Sequence, residues 1–458
     1  MAGLYYPTLD LFYYYAKEGF GIEEKEVEYF DTYWKSLQIK YNTKENPIYF
    51  LEKLPENQGE IDGQFRRQNL GESNGFYFGC SLDEQNKSHS STVVTKLKER
   101  LEQEIFASPL EEILNLPDPS KKSLCLGYTW MTYGWIDVDQ SDEEKIELAK
   151  NFYHQLVGKE WQHQRGGKLL GAKIIEAWRS HHEWDLPDVG SHVIIILYPN
   201  KNTYAKASKE LISDSWIPLL LYRHKIWFSY QKSRRNKEKI RQTFNKATSD
   251  LREHNTYNLE QLGKALERNR QSLNNYSIDL NAISIHQHTL DTNLDDYNLV
   301  VKQLIEKAND DCIINHFWAN DLKFLEEFST IASVKYKKQL EKDYATLAPG
   351  LAALNGLTET IRGLVEVQQA EIDRHQTNTI AIVGLGLAAS SAVAGIAATQ
   401  VYQPSQPTSL PTGLPTGWPG VDSRIHWGQG LLWSLSPTAI AIAFLAFLWY
   451  QHHRKLNK

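Results

Sequence analysis

Residues 377–401 read TNTIAIVGLGLAASSAVAGIAATQV, a stretch without a single charge, and its reading decides how the rest of the chain is organised. A second apolar run, Leu431–Tyr450, lies close behind it. A helix needs roughly 20 apolar residues to span the hydrocarbon core of a bilayer, and both runs reach that length. The chain therefore reads as a large body wired through a stalk into a two-helix transmembrane hairpin. Lysine and arginine beside membrane segments stay on the cytoplasmic side. Arg454, Lys455 and Lys458 follow the second run, and Arg362 and Arg374 precede the first, whereas the connector Tyr402–Gly430 holds only Arg424. Both termini are expected in the cytoplasm, with the hairpin in the cell's inner (plasma) membrane. Trp433, Trp449 and Tyr450 fall near the ends of the second run, where amphipathic rings favour the interface.

Small residues line one face of the first run. Thr377, Ala381, Gly384, Ala388, Ser391, Gly395 and Ala398 follow one another at alternating steps of four and three. Lipid supplies little hydrophobic drive between helices, so close backbone approach through small residues has to do the packing. The partner is either the second hairpin helix or the same helix of other subunits. Bulky Phe444, Leu445, Phe447 and Leu448 favour self-association of the first helix, hence a homo-oligomer.

Upstream, the series from Leu259 through Leu262, Leu266, Asn269, Leu273, Tyr276, Leu280 and Ile283 to Ala308 keeps the three-four spacing of a coiled coil. Asn258 with Gln261 has the form of a capping box at its start. A second series runs from Leu340 to Ile372. Asn309-Asp310-Asp311 reads as the turn between two long helices that pack antiparallel, and Pro349-Gly350 as a kink or break in the second. Residues 1–214 mix both element types, an α+β or α/β domain with a small sheet. Gly75–Cys80, Leu124–Val138 and His192–Tyr198 read as strands. Helices are expected after Ser108-Pro109-Leu110-Glu111 and after Ser141 with its boxed Glu144, and over Lys168–Arg179. The expected order is thus a cytoplasmic α/β domain (1–214), a helical stalk (215–376), two transmembrane helices (377–401 and 431–450) joined by a Pro-rich connector (402–430), and a basic tail (451–458).

The chemistry-bearing motifs are few. No phosphate loop, no nucleophile elbow and no His-Glu-x-x-His helix occurs, so no enzyme is expected. The three cysteines are too scattered for a disulfide framework or a zinc site, and the N-terminus lacks the pattern of a signal peptide. A net charge of −6 over 458 residues suggests no general nucleic-acid affinity. His181, His182, Glu183, Asp185, Asp188 and His192 form the densest set of metal-capable side chains, but ligand sets usually need wider spacing. Arg223, Lys225, Lys232, Arg234, Arg235, Lys237, Lys239 and Arg241 concentrate positive charge among Tyr222, Trp227, Phe228 and Tyr230. They could take an anionic small molecule, lipid headgroups or RNA, or, more commonly, pair with acids. Asp291, Asp295, Asp296, Asp310 and Asp311 could supply those acids or hold a divalent cation, the one cofactor left open, through oxygen ligands. The aromatic density at Tyr5-Tyr6, Phe12–Tyr15, Trp130 and Trp135 fits either a pocket or, more commonly, core and interface packing.

The layout resembles the CorA family of divalent-cation channels: a cytoplasmic α/β domain, a long stalk helix entering the first membrane helix, and a second membrane helix ending in a basic tail. The correspondence would cover the body to about Ile212, the stalk to Ile372, the seam Thr377–Ala398 and the tail Arg454, Lys455 and Lys458. That family's Gly-Met-Asn signature is absent, and Ala398-Thr399-Gln400-Val401 stands in its place. The resemblance implies a pentamer, but magnesium selectivity does not carry over. Two functions follow: a channel or channel-like effector gated by its cytoplasmic domain, or a membrane-tethered sensor or scaffold without transport, such as occurs among prokaryotic defence effectors.

Overall fold

The computed structural model describes residues 3–17, 24–54, 59–84, 87–106, 125–136, 140–180, 186–188, 190–210, 215–252, 259–315 and 320–373. The seam Thr377–Ala398 and the whole expected hairpin, connector and tail lie outside them, as do Ser108–Glu111 and His181–Asp185. Among the described residues no helix is long and apolar enough to cross a membrane. The chain divides into two compact units, Met1–Arg234 with Ser284–Glu341, and Arg235–Ile283 with Lys342–Lys458.

The first unit is built on one mixed sheet, so its class is α+β. The strands are β1 (Leu4–Ala16), β2 (Ile48–Lys53), β3 (Glu60–Leu70), β4 (Ser73–Asp83), β5 (Ser88–His89), β6 (Cys125–Trp135), β7 (His163–Leu169), β8 (Ala172–Trp178) and β9 (Val193–Tyr198). They lie in the order β2-β3-β4-β1-β6-β9-β8-β7, with β5 paired to β1. Only β6 and β9 run parallel among these pairs. Side chains on a strand alternate between faces, and β1 is covered on both. Leu9, Leu11, Tyr13 and Tyr15 meet α1 (Glu24–Lys40), α2 (Val93–Phe106) and α3 (Asp142–Val157) in one core. Phe12 and Tyr14 belong to a second core with α4 (Lys201–Glu210), α5 (Ile217–Arg252), the C-terminal half of α6 (Leu259–Asn315) and α7 (Lys323–Ile331). The aromatic run at Phe12–Tyr15 is thus core, as its commoner reading expects.

All three sequence-predicted strands are present, and α3 starts at the expected cap. Ser141 Oγ accepts from the Glu144 amide at 3.2 Å while Glu144 Oε2 accepts from the Ser141 amide at 2.8 Å. The helix expected over Lys168–Arg179 is instead the β7–β8 hairpin. Leu170 and Gly171 both take positive φ, 50° and 77°, which closes a two-residue turn and cannot continue a helix. The strand signal was hidden because β8 is buried almost throughout, so its apolar residues do not alternate with polar ones.

The second unit is a three-helix core. Ile240 and Phe244 of α5, Leu262, Tyr276 and Leu280 of α6, and Leu347, Leu354 and Ile361 of α8 (Lys338–Asp373) form its centre. The predicted seams follow the buried faces except at Tyr344, which is exposed, and α6 and α8 pack antiparallel: Asn269 reaches Thr358 while Tyr276 reaches Leu347. Two expectations are corrected. The helix α6 runs through Asn309-Asp310-Asp311 to Asn315, because Ala308 is fully buried and Asn309 receives a bond from Asn320 at 3.1 Å. Likewise α8 continues through Pro349, where buried Leu347 and Leu354 on either side outweigh a proline cost of about 3 kcal/mol. A π-helical segment, Ala332–Lys337, joins α7 to α8.

The Tyr276 hydroxyl donates to the Leu347 carbonyl at 2.6 Å, and a Cβ on Gly350 would land on that hydroxyl. Gly350→Ala is therefore expected to lower the melting temperature, although alanine is the better helix former by about 1 kcal/mol. Overpacking a fitted contact typically costs about 1–3 kcal/mol. A variant melting at or above the parent would show that the contact yields instead.

Candidate functional site

The face of β1 that carries Phe12 and Tyr14 also carries Thr8 and Asp10, beyond the reach of the helical cover. Register places Asp10 opposite Gly79 on β4 and Met131 on β6, with Gly79 in turn opposite Gln64 on β3. Thr8 sits opposite Ser81 and Tyr133, and Ser81 opposite Asp62. Gly79 lacks a side chain because Tyr77 and Asp10 already fill the space one would take. A Cβ there would lie 2.5 Å from the Tyr77 hydroxyl and 2.6 Å from Asp10 Oδ1. All three residues help line a cavity of about 800 Å³, bounded by strands β1, β3, β4 and β6, by Tyr49 of β2, and by Lys201, Tyr204 and Ala205 of α4.

Aromatic rings build the wall. Tyr5 and Tyr6 both stack on Trp135, with centroids 6.1 and 6.0 Å away, and Tyr204 meets the indole at 5.2 Å. Consecutive residues of a regular strand point to opposite faces. Both reach the same ring because β1 bulges between Tyr5 and Thr8, where Tyr6 takes a φ of 45°. A non-glycine residue in that region costs on the order of 1–3 kcal/mol and persists only where its surroundings hold it. Here the Tyr6 hydroxyl donates to Asp62 at 3.1 Å. The Thr8 hydroxyl is tied to Ser81 at 3.0 Å and to Tyr204 at 2.9 Å, so it is committed to the framework.

Asp10 is the exception to this satisfaction. Its side chain is fully buried, and neither carboxylate oxygen has a hydrogen-bond partner of normal geometry among the described residues. Burial pushes its pKa up to about 7, against the downward pull of the nearby Tyr77 and Tyr133 hydroxyls. A carboxyl poised at neutral pH can exchange a proton with a ligand. No group of three or more metal-capable side chains occurs among the described residues.

A second buried polar cluster shows the contrasting solution. Glu176 on β8, fully buried, accepts from His192 Nε2 at 2.8 Å and pairs with Arg223 of α5. Thr129 Oγ1 lies 2.8 Å from His192 Nδ1 and 2.8 Å from His224 Nε2. Burial alone would raise the Glu176 pKa, but Arg223 and the His192 bond bring it down to about 2. Burial also lowers both histidines, so they are neutral, and the pattern fixes their tautomers. Ionised Glu176 requires the Nε2–H form of His192, the threonine proton goes to His192 Nδ1, and His224 donates from Nε2. The Glu-His-Thr order imitates a catalytic triad, yet Thr129 is fully buried between two imidazoles. The cluster clamps β6, β8 and the strand-entry residue His192 to α5.

The basic residues of α5 do not share one environment. Arg223 is consumed by the clamp, with its guanidinium 4.2 Å from the Phe328 ring. Lys225 is partly buried and its pKa lowered by that burial, with Glu72 and Asp296 opposing. Lys232 sits over Phe228 at 5.1 Å, Lys237 pairs with Asp343 at 2.6 Å, Arg241 lies 3.7 Å from Glu238, and Lys239 is exposed. Arg234 and Arg235 are both half-buried. Of the expected acids, Asp291 pairs with Lys337 at 3.1 Å. Asp188 and His192 of the histidine-rich stretch are described, and His192 belongs to the clamp rather than to a metal site. Sequence reasoning missed Asp10 altogether. The signal available was one carboxylate inside the otherwise apolar and aromatic run Leu9–Tyr15.

The sign of Asp10's contribution follows from its raised pKa. Protonation stabilises the fold fully below about pH 4, and that stabilisation is lost as pH rises through about 7. Asp10→Asn, which never ionises, should therefore gain stability relative to the parent across this window, by on the order of 4 kcal/mol. Parallel melts from pH 4 to pH 8 check this; a constant offset would mean that Asp10 does not titrate there. Glu176→Gln should cost roughly 3–5 kcal/mol near neutral pH, since it strands a buried guanidinium, and a smaller loss by chemical denaturation would place water at the clamp. Glu176's own contribution is present above about pH 4.5 and lost as pH falls through about 2.

Compared with known proteins, the chain matches no family model, no curated protein and no solved structure.

Proposed function

We propose that this chain is a ligand-sensing membrane protein of CorA-like plan, a homo-oligomer whose ion conduction answers to a small molecule held by the sheet unit. The observation that carries the reading is the fully buried Asp10 carboxylate, without a counter-charge and with only the Tyr77 and Tyr133 hydroxyls beside it, on a residue that lines an aromatic-walled cavity of about 800 Å³. Pockets of this size with a few convergent polar groups are the usual form of a small-molecule site. Helical continuity supports the coupling half of the proposal. Helices α5 and α6 each contribute to both compact units, and α8 runs unbroken to Asp373, directly ahead of the apolar stretch 377–401.

A test that does not require the natural ligand uses the pocket itself. Ser81→Cys lines the cavity and can be alkylthiolated with a methanethiosulfonate reagent carrying a trimethylammonium group. Reconstituted in liposomes, the modified variant should change its ion flux at least severalfold, while the parent treated in the same way should not. Flux present but indifferent to the modification would disconnect the pocket from conduction. Absence of flux in every state, together with a monomer in native mass spectrometry, would leave a tethered sensor and remove the channel.

A further inference from the structure

Taking the pocket to be a ligand site, we propose that its ligand is an organic cation, a protonated amine on a flat apolar body, with its charge on Asp10 and its body against the Trp135 wall. Three observations converge on that class. The carboxylate of Asp10 is completely buried, has no hydrogen-bond partner of normal geometry and belongs to a residue that lines the cavity. A bound anion would add repulsion to a carboxylate that burial already disfavours. A calcium ion wants six to eight oxygen ligands, typically several of them from the protein, whereas no cluster of three metal-capable side chains is found among the described residues. An ammonium needs one carboxylate and aromatic faces.

The wall already shows this preference with one of the chain's own groups. The Lys201 ammonium lies over the Trp135 ring, 5.9 Å from its centroid. The cavity's other charges do not neutralise Asp10 from within. Lys87 is paired with Glu84 at 2.6 Å, and Asp62 is bonded by Tyr6. Around Asp10 the packed elements present Tyr77 of β4, Tyr133 of β6, Tyr198 of β9 and Tyr204 of α4, all held neutral by burial, while Arg66 and Asp62 of β3 line the cavity. Gly79 packs against both groups: a methyl there would come within 3 Å of Asp10 Oδ1 and of the Tyr77 hydroxyl and push on each.

A cation binding to ionised Asp10 displaces its proton, so affinity and proton release are linked. The experiment is isothermal titration of the full chain in mild detergent with three indole probes of matched shape: tryptamine, tryptophol and indole-3-acetate. Tryptamine should bind at least tenfold tighter than tryptophol at pH 7, and indole-3-acetate should not bind. Repeating the titration in buffers of different ionisation enthalpy should show about half a proton released per tryptamine at pH 7, given a pKa of about 7. Affinity should rise by up to tenfold per pH unit below about 7 and level off above it. Asp10→Asn should abolish both the preference and the proton release. Gly79→Ala, which keeps the carboxylate but crowds Asp10 and Tyr77, should weaken tryptamine at least tenfold, and a cooperative melt certifies its fold. Equal binding of tryptamine and tryptophol, or tighter indole-3-acetate, would overturn the cationic class while leaving the pocket a ligand site. Tryptamine binding that survives Asp10→Asn with its proton release intact would remove Asp10 from the site. Failure of all three probes to bind overturns the proposal, whereas the sensing reading stands or falls separately on the Ser81→Cys flux.

Discussion

Burial of β1 on both faces is the constraint on which the rest of the sheet unit depends. A thirteen-residue strand in the middle of a mixed sheet must send alternate side chains into two cores. Odd positions from Leu9 to Tyr15 go to α1, α2 and α3, and even positions Phe12 and Tyr14 go to α5, α6 and α7. Tyrosine suits this role because its ring fills the core while its hydroxyl reaches a polar partner. The Tyr14 hydroxyl donates to the Ile217 carbonyl at 2.7 Å and so ties the strand to the start of α5. Where the helical cover ends, the same alternation turns from packing into a site, and Asp10 and Thr8 take the places that further tyrosines would fill.

The helical half of the molecule was the more legible in the sequence. Periods of three and four over Leu259–Ala308 identify a buried stripe by themselves, and the buried series from Leu262 through Tyr276 and Ile283 to Leu304 follows it. Local breaking signals misled at the end of that series and inside the second one, Leu340–Ile372. An Asn-Asp-Asp triplet and a Pro-Gly pair carry strong local preferences, yet each preference is worth only a few kcal/mol against a packed face. Strands covered on both sides were harder to read, since the polar alternation that marks a strand is missing from Ala172–Trp178 and from most of Leu4–Ala16. The same burial hid the site: its residues come from β1, β3, β4, β6 and α4, separated by up to nearly two hundred positions, and nothing local in the chain joins Asp10 to Gly79 or Tyr204. Only His192 and Arg223 of the clamp stood out beforehand, each for a reason other than the one the fold gives it.

The positive charge on α5 illustrates how composition and environment part company. Eight lysines and arginines within the 19 residues from Arg223 to Arg241 look like a single surface. The helix instead crosses from the sheet unit's core to the three-helix core, so its faces meet different neighbours along its length. Arg223 becomes the counter-ion of a buried glutamate and Lys237 that of Asp343, which is only 2 % exposed. A basic stretch of this kind organises two interiors before it offers anything to a ligand or a membrane.

Two carboxylates in this unit are equally buried and are treated in opposite ways. Glu176 has a guanidinium and an imidazole N–H, and its pKa falls to about 2. Asp10 has neither, and its pKa rises to about 7. The chain evidently can neutralise a buried acid, since it builds a four-residue clamp around one in the same unit. Leaving the other without a counter-charge costs stability at neutral pH, since only the Tyr77 and Tyr133 hydroxyls oppose its burial. A cost of that kind, held next to a cavity and beside a strained Tyr6, is the arrangement expected where the missing counter-charge arrives from outside. The energetics of the fold and the chemistry of the proposed ligand are then one statement: what destabilises the empty pocket is what an incoming cation would relieve.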